Sequence, residues 1–157
     1  SRASWDAPAE VRRRALSVLI AAASGASREP SSSELEALEP RIMGPGYRGS
    51  THSGVAFEPT KDGVALKREP AAIVGRADGA PPLPHLTLVP GVETVWDGRY
   101  AVTASAPGWR LFPADTGYFA IVKEGEAPDA APDLTVRPLA AERIRHAFAP
   151  DINRSKP

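Results

Sequence analysis

The chain has 157 residues and a formal net charge of zero, which allows one medium domain or two small ones and gives no overall attraction to nucleic acid. Because there is no cysteine, disulfides and thiolate metal sites are excluded, and the three histidines are too scattered for their spacing to predict a zinc site. The 17 prolines and 13 glycines favour short elements with many turns, and the absence of a long apolar run or a secretory signal predicts a cytoplasmic protein without membrane spans.

A first helix is predicted over residues 8–24. Asp6 is the expected N-cap, Pro8 suits the first turn, and Gly25 is expected to end the helix. Apolar residues recur at helical spacing and predict one buried stripe. This stripe comprises Val11, Ala15, Val18, Leu19 and Ala22.

A second, shorter helix is predicted after a capping box made by Ser31 and Glu34. Its apolar face carries Leu35, Leu38 and Ile42. Pro40 is expected to end or kink it, because proline removes a hydrogen bond and clashes with the preceding turn. The sequence GPG at 44–46 then divides a helical segment, 1–46, from a β domain, 47–157.

The segment 51–70 has the alternation of a β-hairpin. Val55 and Phe57 lead into a turn predicted at 59–63, and Val64 and Leu66 resume the alternation on the return. These four apolar side chains are expected to share one face. Arg68 follows on that face, whereas Lys67 and Glu69 point the other way.

The rest of the chain predicts a small antiparallel meander with a helix at its end, so the fold class is α+β with helices at the N-terminus. Strand-like segments occur at 85–89, 92–103, 109–112 and 118–123, the last two joined by a turn at 114–117. The acidic segment 124–133 is expected to be a surface loop. The C-terminal helix is predicted at 138–148, with Leu139, Ile144 and Phe148 facing inward.

Within the segment 92–103, Asp97 and Gly98 are a strong signal for a two-residue hairpin turn. Such a turn pairs residue 96 with 99 and residue 95 with 100. It would place Val95, Tyr100 and Val102 on a buried face and leave Trp96 half covered, with its ring stacked by Arg99.

Three sequence blocks in this order resemble the C-terminal portion of bacterial tRNA(Ile)-lysidine synthetases. They are the helix block PAEVRRRALSVLI (8–20), the KREP block (67–70) and the WDGRY block (96–100). The resemblance covers most of residues 8–104. The first residue is not methionine, and the sequence is expected to be a piece of a longer protein.

The resemblance implies part of a ligase that activates the wobble cytidine of an isoleucine tRNA with ATP and adds lysine to it. The sequence has no SGGxDS-type ATP-binding loop, so the resemblance implies a non-catalytic, tRNA-binding fragment whose partners are tRNA and the N-terminal nucleotide-binding domain of the same enzyme. ATP and Mg²⁺ are implied for the whole enzyme, and no cofactor is expected in this chain. The residues expected to contact RNA are Lys67, Arg68, Arg99, Arg12, Arg13 and Arg14.

Several alternatives remain at this point. Arg68 could form a structural ion pair with Glu69, the three consecutive arginines could be a solvated collar around the helix, and Trp96 could be a packing residue. The whole chain could be a protein-interaction module of the α+β class without an RNA role. A free-standing enzyme is disfavoured because the sequence offers no cluster of catalytic residues.

Overall fold

A computed structural model of the chain describes residues 6–114, 119–123 and 133–149. It has helices at its N-terminus, three small antiparallel sheets and a C-terminal helix, which confirms the α+β class. The helices are α1 (Ala9–Ser24), α2 (Ser32–Met43), α3 (Ala71–Val74) and α4 (Ala140–Phe148). The strands are β1 (Ser50–His52), β2 (Val55–Thr60), β3 (Gly63–Arg68), β4 (Leu86–Thr87), β5 (Thr94–Trp96), β6 (Tyr100–Ala104), β7 (Trp109–Pro113), β8 (Phe119–Lys123) and β9 (Leu134–Pro138).

Helix α1 forms close to where it was predicted and ends at Gly25 as expected, but its N-terminal cap and part of its buried face differ from the prediction. Pro8 is the N-cap and no side chain caps the helix, so the expected role of Asp6 is wrong. Val18 and Ala22 of the predicted stripe are buried, which confirms that part of it, and Leu16 and Ile20 are buried in the first core. Val11 and Leu19 are 50% and 40% exposed, so the inward position predicted for these two residues is wrong.

Helix α2 begins at the predicted capping box, in which Glu34 N–H donates to Ser31 Oγ and Ser31 N–H donates to the Glu34 carboxylate. The predicted inner face is confirmed, since Leu35, Leu38 and Ile42 are buried. Pro40 does not end the helix, which continues to Met43. Burial of Ile42 in the core supplies free energy that offsets the hydrogen bond that proline removes.

The first core joins the two N-terminal helices to the sheet β1-β2-β3. The predicted hairpin is confirmed: Phe57 pairs with Leu66, and Val55 and Phe57 are fully buried. Thr60 pairs with Gly63, so the turn contains only residues 61 and 62 and is shorter than the predicted 59–63. This core therefore contains elements from both sides of residue 46.

The second core lies between the sheets β4-β7-β8 and β5-β6-β9. Two strand pairs join segments that are distant in the sequence: β9 pairs with β6, and β4 pairs with β7, both antiparallel. The fully buried side chains of this core are Ile73, Leu88, Trp96, Val102, Ala104, Trp109 and Leu111. Two tryptophans supply much of the apolar area that a thin core of short strands needs.

The C-terminal helix is shorter than predicted because Pro138 ends β9 and α4 begins at Ala140. Helix α4 packs against α1. Leu139 and Ile144 are partly buried, but Phe148 is 51% exposed, so its predicted inward position is wrong. The predicted turn at 114–117 and acidic loop at 124–133 lie outside the described residues, apart from residues 114 and 133. No helix in the described part of the chain is long and apolar enough to cross a membrane.

Candidate nucleic-acid interface

Three of the residues predicted to contact RNA line one cleft of about 500 Å³. Lys67 and Arg68 reach it from β3, and Arg99 reaches it from the connection between β5 and β6. Ala22 and Ala23 of α1 are also in its wall. Because these side chains are small, there is room for a cleft between the first core, which includes the hairpin β2-β3, and the second core.

Arg68 is held at the bottom of this cleft by three hydrogen bonds of its guanidinium group. Its Nε and Nη2 donate to Oδ2 and Oδ1 of Asp97 at 2.9 and 2.8 Å, and its Nη1 donates to Gly54 O at 3.0 Å. This is the bidentate geometry that fits a guanidinium to a carboxylate. The Arg68 side chain is 11% exposed, so it is primarily part of a buried ion cluster. Glu69, the alternative partner, pairs with Arg76.

Arg99 joins the same carboxylate from the other side. Its Nε lies 2.7 Å from Asp97 Oδ2, and the Asp97 side chain is only 5% exposed. The guanidinium carbon lies 5.1 Å from the ring centre of Tyr100 and 6.0 Å from that of Trp96. The expected contact between Arg99 and Trp96 is therefore present at the limit of a cation-π contact, with the Tyr100 ring nearer.

The hairpin that carries Asp97 has a register one residue away from the predicted one. Trp96 pairs with Tyr100 and Val95 pairs with Ala101, so the connection has three residues instead of two. Asp97 and Gly98 have φ of 50° and 61°, and Arg99 N–H donates to Trp96 O at 3.1 Å. Positive φ at both residues is typical of a tight hairpin turn, but the predicted two-residue connection is wrong, because Arg99 is an extra residue before pairing resumes.

The shifted register also reverses part of the predicted burial. Trp96 is 1% exposed and Val95 is 52% exposed, so the prediction that Val95 faces the core and Trp96 is half covered is wrong. A one-residue slip moves a whole set of side chains to the other face of a sheet. The structure adopts the register that buries the indole ring, because it removes far more apolar area from water than a valine does.

The C-terminal end of α1 meets this turn at very short range. Gly25 has φ of 73°, and a Cβ built on it would lie 1.7 Å from Asp97 O. Arg143 of α4 closes the same junction, since its Nη1 donates to Ala21 O at 3.2 Å and to Ala26 O at 2.7 Å. Ala21 O also accepts the Gly25 N–H at 3.0 Å, and Ala26 lies just beyond the helix, so Arg143 attaches α4 to the C-terminal end of α1. The sequence prediction missed Asp97 and Gly25 as contact residues, although both were identified as turn or cap residues.

The three consecutive arginines of α1 do not join Lys67, Arg68 and Arg99 as one surface. Arg12 and Arg13 donate to Oε1 and Oε2 of Glu39 at 2.6 and 2.8 Å, and Arg14 pairs with Glu29. Hydrogen bonds from Arg13 and then Arg12 lower the pKa of Glu39 against the opposing effect of its burial. These contacts attach α1 to α2 and to the segment before it.

Glu39 is expected to make the stability of the protein depend on pH. The pKa of Glu39 is lower in the folded chain than the ordinary value of 4.5. The ionised carboxylate therefore stabilises the folded chain fully above pH 4.5, and this stabilisation is lost as the pH falls through the lowered pKa. Urea unfolding at several pH values should show this loss in the wild type. Glu39→Gln should lower stability at pH 7 and flatten the dependence below pH 4.5. An equally steep decline in the variant would contradict this assignment.

Comparisons with protein-family models, with curated proteins and with solved structures give no match to this chain. Among the described residues, no group of three or more His, Asp or Glu side chains could hold a metal ion. The function is therefore inferred from the cleft and from the sequence blocks that surround it.

Proposed function

We propose that the chain is a non-catalytic, tRNA-binding part of a tRNA(Ile)-lysidine synthetase and contacts the RNA backbone at the cleft. The observation that carries this proposal is the convergence of Lys67, Arg68 and Arg99 from two separate sequence blocks on one cleft. Phosphate contacts of this kind position an RNA without reading its sequence.

The sequence blocks that carry the resemblance also meet in space. The KREP block and the WDGRY block are joined by the bidentate contact between Arg68 and Asp97. The helix of the first block continues to Gly25, which lies against the turn at Asp97. Such convergence is what one structural unit of a larger enzyme would require, and ATP and Mg²⁺ would then be bound by its nucleotide-binding domain.

The cations of the cleft have different roles in this proposal. Arg68 and Arg99 are largely buried and maintain the shape and positive charge of its floor. Lys67 is 62% exposed at its rim and pairs with Glu58, which is 50% exposed. Since an exposed pair of this kind contributes about 0 to 1 kcal/mol, a phosphate group can replace the Glu58 carboxylate at little cost.

Binding of the chain to an isoleucine tRNA transcript with a CAU anticodon is expected to be weak and strongly salt-dependent. Lys67→Ala should weaken it and reduce the slope of log K against log salt by about 1, because one phosphate contact is removed. Fluorescence anisotropy of labelled tRNA at several salt concentrations measures both quantities.

Lys61→Ala is the matched control, because Lys61 is also exposed but lies at the turn of the same hairpin, at the far end of the six-residue strand β3. The slope of log K against log salt for Lys61→Ala should equal that of the wild type. If Lys67→Ala leaves both the affinity and the slope unchanged, or if Lys61→Ala has the same effect, the cleft is not the contact surface.

A protein-interaction module is the second candidate, and one observation favours it. Many of the described arginines are paired with carboxylates, which reduces the positive surface that an RNA would meet. Besides Arg68 and Arg99, these are Arg12, Arg13, Arg14, Arg76 and Arg137. Saturable calorimetric binding to the nucleotide-binding domain, with no tRNA binding at low salt, would select this candidate.

A further inference from the structure

Strand β3 forms one edge of the sheet β1-β2-β3, and no strand of the described residues pairs with its outer side. Thr60 and Gly63 flank a two-residue turn and exchange the first bonds of the hairpin, so alternate residues of β3 direct their backbone away from β2. These residues are Val64, Leu66 and Arg68. Within the described part of the chain, no backbone bond to Val64 or Leu66 comes from outside the sheet. The edge therefore offers donors and acceptors to a further strand.

Two open spaces border this edge. A groove of about 350 Å³ is lined by Gly63, Val64 and Leu66. The cleft continues from Leu66 to Arg68. Because neighbouring strands lie only about 4.8 Å apart, a strand added to β3 would enter these two spaces.

The groove also exposes an apolar part of helix α1. Ala15, Leu16 and Leu19 line it, and Leu19 is 40% exposed. Helix α1 packs against β3, and Ala22, one turn further along the helix, lines the cleft together with Leu66. Leu19 is thus level with the middle of the strand. A partner that pairs with the edge would cover this side chain as well.

A second copy of β3 fits this edge in an antiparallel register. A two-fold axis at Ala65 sets Ala65 opposite its own copy, Val64 opposite Leu66, and Gly63 opposite Lys67. Both Val64–Leu66 pairs then exchange their outward backbone hydrogen bonds. Asp62 of the second copy comes next to Lys67, so the charges at the ends of the paired segment are complementary.

The two neighbouring registers are less favourable. An axis at Val64 sets Lys61 opposite Lys67 of the second copy, and like charges in opposite positions are destabilising. An axis at Leu66 carries the turn of the second copy past the end of β3 to Pro70, where the chain enters α3. The register with its axis at Ala65 is therefore the one that matches both the charges and the length of the strand.

We propose that the free edge of β3 pairs with a second copy of this chain. The two sheets would join as one across a two-fold axis, with Leu19 of each α1 beside the axis. Such pairing is self-complementary, since each copy supplies the same edge and the same apolar side chain. The inference does not depend on RNA binding. Because Asp62 of the second copy would lie beside Lys67 at the rim of the cleft, the dimer and a bound tRNA are expected to exclude each other.

Sedimentation equilibrium of the full chain without RNA tests this dimer. The mass should rise with protein concentration from 16.6 kDa towards twice that value. Leu19→Glu and Leu19→Lys should each weaken the dimer about tenfold or more, because like charges would meet beside the axis. An equal mixture of the two variants should restore the dimer, because opposite charges then meet at the same place.

Two further variants test the surface itself. Val11→Glu is the matched control, because Val11 is an exposed apolar residue of the same helix that does not line the groove, and it should dimerise like the wild type. Val64→Pro should prevent the dimer, since it removes an outward N–H. The opposite residue in β2 is Pro59, so this pair has no bond to β2 to lose, and edge strands tolerate proline. Equal urea-unfolding midpoints of the Leu19 variants and the wild type would show that they remain folded.

Three results would overturn the proposal. The first is a mass that stays at 16.6 kDa at every concentration that the protein reaches in solution. The second is a mixture of Leu19→Glu and Leu19→Lys that remains monomeric although the wild type dimerises. The third is an equal loss of dimer in Val11→Glu and Leu19→Glu. Because RNA is absent from these measurements, none of the three bears on the cleft proposal, which the Lys67→Ala titration tests separately.

Discussion

Asp97→Ala is expected to lower the free energy of unfolding by about 3 to 5 kcal/mol, the range measured when one partner of a buried ion pair is removed. Asp97 accepts hydrogen bonds from both Arg68 and Arg99, and its side chain is 5% exposed. Without the carboxylate, two guanidinium groups keep their burial but lose the anion that they share. Urea unfolding followed by fluorescence of the buried tryptophans measures the change.

Asp97→Asn separates the carboxylate of Asp97 from its role in the turn. Asn tolerates positive φ and keeps one accepting oxygen, but it loses the charge and puts an NH2 donor in place of the second oxygen, so it should destabilise the protein less than alanine does. Glu58→Ala breaks the exposed pair with Lys67 and should change stability by less than about 1 kcal/mol. If Asp97→Ala costs no more than Glu58→Ala, the buried cluster does not stabilise the fold.

The first hairpin was predictable from sequence because its two faces differ clearly. Val55 and Phe57 alternate with residues that can remain in water, so only one register buries the apolar set. The position of Arg68 on that face followed from the same alternation and is confirmed by its pairing with Val55. Its partner could not be predicted, because Asp97 is distant in the sequence and many carboxylates were available.

The second hairpin was harder because both of its faces carry large apolar residues. With Trp96 on one face and Val95 on the other, alternation alone does not select the buried side, and the turn signal was compatible with either loop length. Helix α1 presented the same difficulty, since the exposed Val11 and Leu19 follow the same helical spacing as the buried Val18 and Ala22. In both elements the choice depends on what packs against them.

The prediction of the site had a similar limit. Lys67, Arg68 and Arg99 were predicted as RNA contacts because their charged groups suit phosphates, and all three line the cleft. Sequence could not show that the arginines of α1 would be bound by Glu39 and Glu29, because these pairs depend on how the helices pack. Ion pairing between distant residues is a property of the tertiary structure and leaves no local pattern.

Gly25→Ala is expected to lower the free energy of unfolding by about 2 to 5 kcal/mol. It should also separate α1 from the turn between β5 and β6. About 1 to 2 kcal/mol comes from the left-handed conformation, since φ is 73°. A further 1 to 3 kcal/mol comes from overpacking, because the new Cβ would lie 1.7 Å from Asp97 O, a backbone atom that cannot rotate away. The measurement is the midpoint and slope of urea unfolding.

Gly46→Ala provides the control that divides these two contributions. Gly46 has φ of 75°, almost the same as Gly25, but a Cβ there would meet no atom within 4 Å. Its cost should therefore be only the conformational part, about 1 to 2 kcal/mol. The difference between the two variants measures how closely α1 is held against the turn at Asp97. If both variants lower the free energy of unfolding equally, the junction between α1 and the turn can open without loss of stability. The junction would then not determine the shape of the cleft between the two cores.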